Sequence, residues 1–126
     1  MRLIVQFYPS GGDGYVREYL ERLRLDSQHR KAHNKLKYDL AVLGMDGLMS
    51  RFLDIKRVTG ISGSVWELRR LYQGIAYRIY FCVSKGEVWL LHYLEKDTAK
   101  IPKSDLEIVR KRSRDIFAKK RSRRLS

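Results

Sequence analysis

A single cysteine, Cys82, lies inside an apolar run, so the chain can build neither an intramolecular disulfide nor a cysteine-rich zinc site. That scarcity fits a reducing compartment. No stretch approaches the ~18 consecutive apolar residues needed to cross a bilayer, and Met1 to Tyr8 is too short for a secretory signal. A cytoplasmic, membrane-free location is therefore expected. The chain also lacks a Walker-type phosphate loop, a His-Glu-x-x-His helix, a Gly-x-Ser-x-Gly elbow and a Cys-x-x-Cys pair. Its three histidines, His29, His33 and His92, are too scattered for a metal trio, so neither metal nor cofactor is expected. Acidic residues are scarce as well, 14 against 27 Lys and Arg, for a formal charge of +13. An excess of this size points to a polyanionic partner and says nothing about fold.

What remains is the composition of a folded protein: 126 residues, 44% hydrophobic, with 14 aromatics in the whole. One domain is expected over residues 1–118, with 119–126 as a basic, frayed tail. Residues 103–126 hold ten Lys and Arg against three acids, about half of the excess charge. Leu3 to Tyr8 reads as a first strand, closed by the turn cluster Pro9-Ser10-Gly11-Gly12. The Gly11-Gly12-Asp13-Gly14 cluster is either a turn or an anion site at a helix start. A helix follows from Asp13, its possible N-cap, with Val16, Tyr19, Leu20 and Leu23 at helical spacing. A second runs from about Ser27 to Leu43, striped by Ala32, Leu36, Leu40 and Leu43, with Gly44 as its C-cap. The segment to Gly63 connects, with a short ordered stretch around Leu53 to Val58. Three strands then form an antiparallel meander turning at Tyr72-Gln73-Gly74 and Ser84-Lys85-Gly86, and a last helix starts near Pro102.

Those strands carry charges where charges are costly. Alternate residues of a strand share a face. Glu67 and Arg69, Ala76, Arg78 and Tyr80, and Leu90 and His92, with Lys96 if the strand reaches it, fall on one side. Trp66, Leu68, Tyr77, Ile79, Phe81, Leu91 and Tyr93 fall on the other and would pack on the helical hairpin. The first set forms an open, cationic floor suited to a polyanion. Glu67 either pairs with Arg69 or Arg78 as a structural bridge or works on a substrate.

In order, Trp66-Glu67-Leu68-Arg69, Tyr77-Arg78, Leu91-His92, Lys96, Thr98 and Pro102 resemble the phage-derived, HigB-like branch of the RelE/ParE superfamily of bacterial toxins. The upstream Tyr19-Leu20-x-x-Leu23 and Leu40-x-x-Leu43-Gly44 patterns agree with it. The resemblance covers roughly residues 15 to 117. It implies an α+β, RelE-like fold, with an antiparallel sheet, an N-terminal two-helix hairpin on one face and a C-terminal helix. It further implies the toxin of a type II toxin–antitoxin system: an endoribonuclease cutting mRNA on the translating ribosome and neutralised by a helix-turn-helix, HigA-like antitoxin. Two departures from the pattern matter. Tyr93-Leu94-Glu95-Lys96-Asp97 stands where the family often has Gly-Phe-x-Lys-Lys, so one lysine is replaced and acids flank the other.

Cleavage of this kind needs no metal, because the substrate's 2′-OH can attack the adjacent phosphate in line. The protein must remove a proton, stabilise the phosphorane and protonate the leaving 5′ oxygen. The resemblance assigns charge stabilisation to Arg69 and Arg78, with Lys96 as a second cation or proton donor. It assigns proton transfer to Glu67 or His92, and base stacking to Tyr80 or Tyr93. Lys56, Arg57 and Arg70 would follow the RNA backbone, with strong salt dependence. Two other readings stay open: a ParE-like toxin that inhibits DNA gyrase without cutting nucleic acid, and a non-catalytic nucleic-acid-binding module.

Overall fold

A computed structural model describes residues 2–9, 14–61, 63–95 and 100–125, with side chains as far as residue 118. Five strands, β1 (Ile4–Phe7), β2 (Asp54–Arg57), β3 (Val65–Tyr72), β4 (Ile75–Ser84) and β5 (Glu87–Glu95), form one sheet in the order β1-β5-β4-β3-β2. Helices α1 (Tyr15–Leu25) and α2 (Arg30–Asp46) form the expected hairpin on one face, and α3 (Lys103–Leu125) lies on the other. The α+β class and the positions of the helices agree with the sequence expectation. The sheet is mixed, however, because β1 joins β5 in parallel while the other pairs are antiparallel.

Local chemistry explains the elements. The stripes Val16, Tyr19, Leu23 of α1 and Ala32, Leu36, Leu40, Leu43 of α2 are buried against Leu68, Tyr77, Ile79, Phe81, Val88 and Leu90. Each buried Val, Leu, Ile or Phe among them contributes about 1.5–3 kcal/mol on leaving water. The two hairpins turn on Gln73-Gly74 and Lys85-Gly86, all four with positive φ, which matches the right-handed twist of the strands. The ordered stretch expected near Leu53 to Val58 is β2. Gly14 stands at the N-cap of α1, and Asp13 lies outside the described residues.

Helix α2 corrects one boundary. Gly44 sits inside it, and the C-cap is Gly47 at φ 78°. Gly44 is needed for close approach: its carbonyl accepts from Leu3 N at 2.6 Å, and an added Cβ would stand 3.2 Å from Leu3 O.

The larger correction concerns the open floor. Val109 and Ile116 of α3, flanked by Leu106 and Phe117, pack on Val65, Cys82, Trp89 and Leu91, so much of that face is a second core. The strand parity also slips. Tyr80 pairs with His92 but Phe81 pairs with Leu90, which leaves Leu91 as the extra residue of a β-bulge. Leu90 therefore packs against the hairpin, Leu91 against α3 and Tyr93 against α1, the reverse of the expectation for the two leucines.

Candidate functional site

The part of the β3–β4 face that α3 leaves uncovered forms a cleft of about 300 Å³ between β2, β3 and the segment leading into α3. Glu67 and Tyr80 form its floor, and Lys56, Arg57, Thr59 and Lys100 line it. Strand pairing dictates this arrangement, since Lys56 stands opposite Glu67 across β2–β3 and Glu67 opposite Tyr80 across β3–β4. A carboxylate and a phenol at the bottom of a cation-lined cleft give the site both proton-transfer and phosphate-holding chemistry.

Beneath the floor, Arg78 Nε lies 3.3 Å from Glu67 Oε1, with only 1% and 6% of the two side chains exposed. Glu67 Oε2 and the Tyr80 hydroxyl are both buried and face each other, with no other partner among the described residues. Burial, and then the neighbouring Glu67 carboxylate, raise the Tyr80 pKa, so this phenol stays protonated at neutral pH. Arg69 stands beside Arg78 across β3–β4 and opposite Asp54 on β2. Arg57 donates to Gly63 O at 3.1 Å, which fixes the cleft's outer wall.

His92 is next to Tyr80, with ring centroids 6.3 Å apart. Its Nε2 is hydrogen-bonded to Asp105 Oδ1 at 2.8 Å, while Nδ1 is buried without a described partner. Because a carboxylate can only accept, Nε2 carries the proton. Asp105 lies in the first turn of α3, where a negative charge also suits the helix dipole. The structure thus brings Glu67, Arg69, Arg78, Tyr80 and His92 together on one face, with Lys56 and Arg57 at its rim.

Two expected contributors lie elsewhere. Arg70 faces the hairpin, where its Nε donates to Asp39 Oδ2 at 2.8 Å and a second bond reaches Asp39 Oδ1, holding its pKa above the usual value. Tyr93 stacks on Tyr19 with centroids 3.9 Å apart, and Arg22 donates to its hydroxyl at 2.7 Å. Lys96, with Asp97 and Thr98, lies outside the described residues. Sequence reasoning missed Asp105, Thr59 and Lys100. Asp105 alone left a signal, as an acid three residues after Pro102 at a helix start, whereas parity has no purchase on loop residues.

Fold and site together define a small α+β protein whose basic surface opens over a buried, ion-paired carboxylate. The chain belongs to the family described as phage derived protein Gp49-like (DUF891), whose model matches residues 24–114. That family is associated with the RelE-like toxins of toxin–antitoxin systems, and the present architecture is consistent with a RelE-like fold. Comparison with curated proteins gives no match, and neither does comparison with solved structures. Among the described residues no helix is long and apolar enough to cross a membrane.

Proposed function

We propose that this chain is the HigB-like toxin of a type II toxin–antitoxin pair, a cytoplasmic endoribonuclease that cleaves mRNA on the translating ribosome and is neutralised by a helix-turn-helix, HigA-like antitoxin. The observation that carries the reading is the cleft itself. It holds a buried carboxylate with an oxygen left over by its arginine, and a protonated phenol, beneath Lys56, Arg57 and Lys100.

In this reading Glu67 Oε2 accepts the 2′ proton as the 2′ oxygen attacks the adjacent phosphate. Arg78, too deep to meet substrate, holds the Glu67 carboxylate in place. Lys56, Arg57 and Lys100, joined by Arg69 and, as the resemblance implies, by Lys96, offset the charge of the phosphorane. Lys96 supplies a proton to the leaving 5′ oxygen, while Tyr80 backs Glu67 at the cleft floor and His92, its Nε2–H held by Asp105 and its Nδ1 buried, braces Tyr80 from beside. Arg70 and Tyr93 have no part in this chemistry, being committed on the far side of the sheet.

Primer-extension mapping of mRNA after brief induction tests the reading, comparing the wild-type chain with Glu67→Gln and Arg57→Ala. New cuts confined to translated regions are expected, weakened about 100-fold or more in Glu67→Gln, the scale of a lost general base. Growth arrest without cuts would point instead to a gyrase-type target. Neither arrest nor cuts would leave a nucleic-acid-binding module.

A further inference from the structure

We propose that the outer edge of β1 is a docking strand for an extended, acidic segment of a partner protein. This inference does not rest on the nuclease reading. The sheet has two edges, and they are built differently. In β2 three of the four residues, Asp54, Lys56 and Arg57, are charged, which discourages unplanned strand addition. Strand β1 reads Ile-Val-Gln-Phe and carries no charge, and Ile4 is 61% exposed.

The backbone of β1 is poised for pairing. Ile4 N donates to Gly86 O at 2.9 Å and Tyr8 N to Leu90 O at 3.0 Å, so these residues spend their polar groups on β5. By alternation, Val5 and Phe7 aim N–H and C=O away from the sheet. Immediately beside them an apolar groove of about 380 Å³ runs between the hairpin and β1, lined by Val5, Phe7, Leu20, Leu40 and Ala41. An added strand would place every second side chain in this groove and the alternate ones against Ile4.

Charge selects the occupant. Lys37 lines the groove, the Arg17 guanidinium lies 4.9 Å over the Phe7 ring, and no described carboxylate lines the groove. A second copy of a chain with a formal charge of +13 would bring these cations against their own kind, whereas carboxylates spaced along an extended apolar segment would meet them.

The test is an NMR titration of the full chain with a short capped peptide in which valine and glutamate take turns at every second position, separated by threonine, so that both enter the groove, with a peptide carrying lysine in place of glutamate as control. Saturable shifts and new exchange protection are expected at the Val5 and Phe7 amides, with no response to the lysine peptide. Lys37→Glu should weaken binding by about fivefold to tenfold, and Val5→Pro should weaken it roughly threefold or more by removing an outward N–H that β5 does not use. Proline is tolerated on edge strands, and Lys37 is exposed, so at least one variant remains folded. Three results would overturn the proposal: unprotected Val5 and Phe7 amides at peptide excess, shifts centred on Lys56, Arg57 or α3, or protection of Val5 without peptide together with a doubled sedimenting mass.

Discussion

Arg78 Nε and Glu67 Oε1 face each other at 3.3 Å across neighbouring strands, beneath a cleft that only Glu67 reaches. Breaking such a buried pair leaves an uncompensated charge in a low-dielectric site. Arg78→Met alone should therefore destabilise the protein by about 3–5 kcal/mol, and the double variant Glu67→Leu with Arg78→Met by less than either single change. Urea unfolding of the four chains measures this coupling. Glu67→Gln keeps the shape of the pair but also removes the charge opposite Arg78, so its cleavage is compared with the wild type on protein shown to be folded by circular dichroism, well below the unfolding midpoint.

The ion pair between Arg70 and Asp39 makes a contrasting prediction. Asp39 is 2% exposed and Arg70 is its bidentate partner, so Arg70→Ala strands a carboxylate in the core. A loss of about 2–4 kcal/mol is expected, little changed by salt because the pair is partly buried. RNA binding measured well below the unfolding midpoint should keep its wild-type salt slope. A slope shallower by about one unit would instead make Arg70 a phosphate contact.

How much of this was legible in the sequence depends on which force set each feature. The apolar stripes of α1 and α2 and the Gly-containing hairpin turns are local, and periodicity placed them. The coverage of the β3–β4 face was misread because the apolar residues of α3 are few among its many cations, so the helix looked solvated. Its Val109 and Ile116 nevertheless cap Cys82 and Leu91. The bulge at Leu91 escaped because an inserted residue leaves no mark on composition. Arg69 and Arg70 are adjacent and chemically alike; strand parity puts Arg69 with Glu67 and sends Arg70 to the hairpin face, which reading Arg70 as an RNA contact overlooks. Asp39, a lone acid inside an apolar stripe, was the available hint that a cation would come to that side.

Glu95, one of two acids flanking Lys96, raised the question of whether it neutralises the site. Its Oε2 accepts a hydrogen bond from the Tyr19 hydroxyl on the hairpin side, away from the cleft. Tyr19→Phe should cost about 1–2 kcal/mol in chemical denaturation while keeping the stack on Tyr93. Glu95→Gln should leave the cleavage rate within about twofold of the wild type, because its charge faces the other layer. A large gain in cleavage for Glu95→Gln would show that the carboxylate opposes phosphate binding after all.

Alkaline stability gives a test that needs no substrate. Burial pushes the Cys82 thiol from 9.0 up to about 12, and burial, then the bond to Glu95, raises Tyr19 as well. A group whose folded pKa is raised keeps its proton in the native state while the unfolded chain loses it. Stability from Cys82 is therefore complete below pH 9 and falls as pH rises toward 12. The slope for one such thiol is at most about 1.4 kcal/mol per pH unit. The tyrosines extend the loss above pH 10, since their ordinary value of 10.0 is likewise exceeded in the fold. Urea midpoints should drop across this window, and less steeply in Cys82→Ala, whose core cavity lowers stability at every pH without adding a slope. The same burial predicts that iodoacetamide labels Cys82 in urea far faster than in the native protein. Rapid native labelling, or equal alkaline slopes in the two chains, would mean that α3 does not seal that face of the sheet.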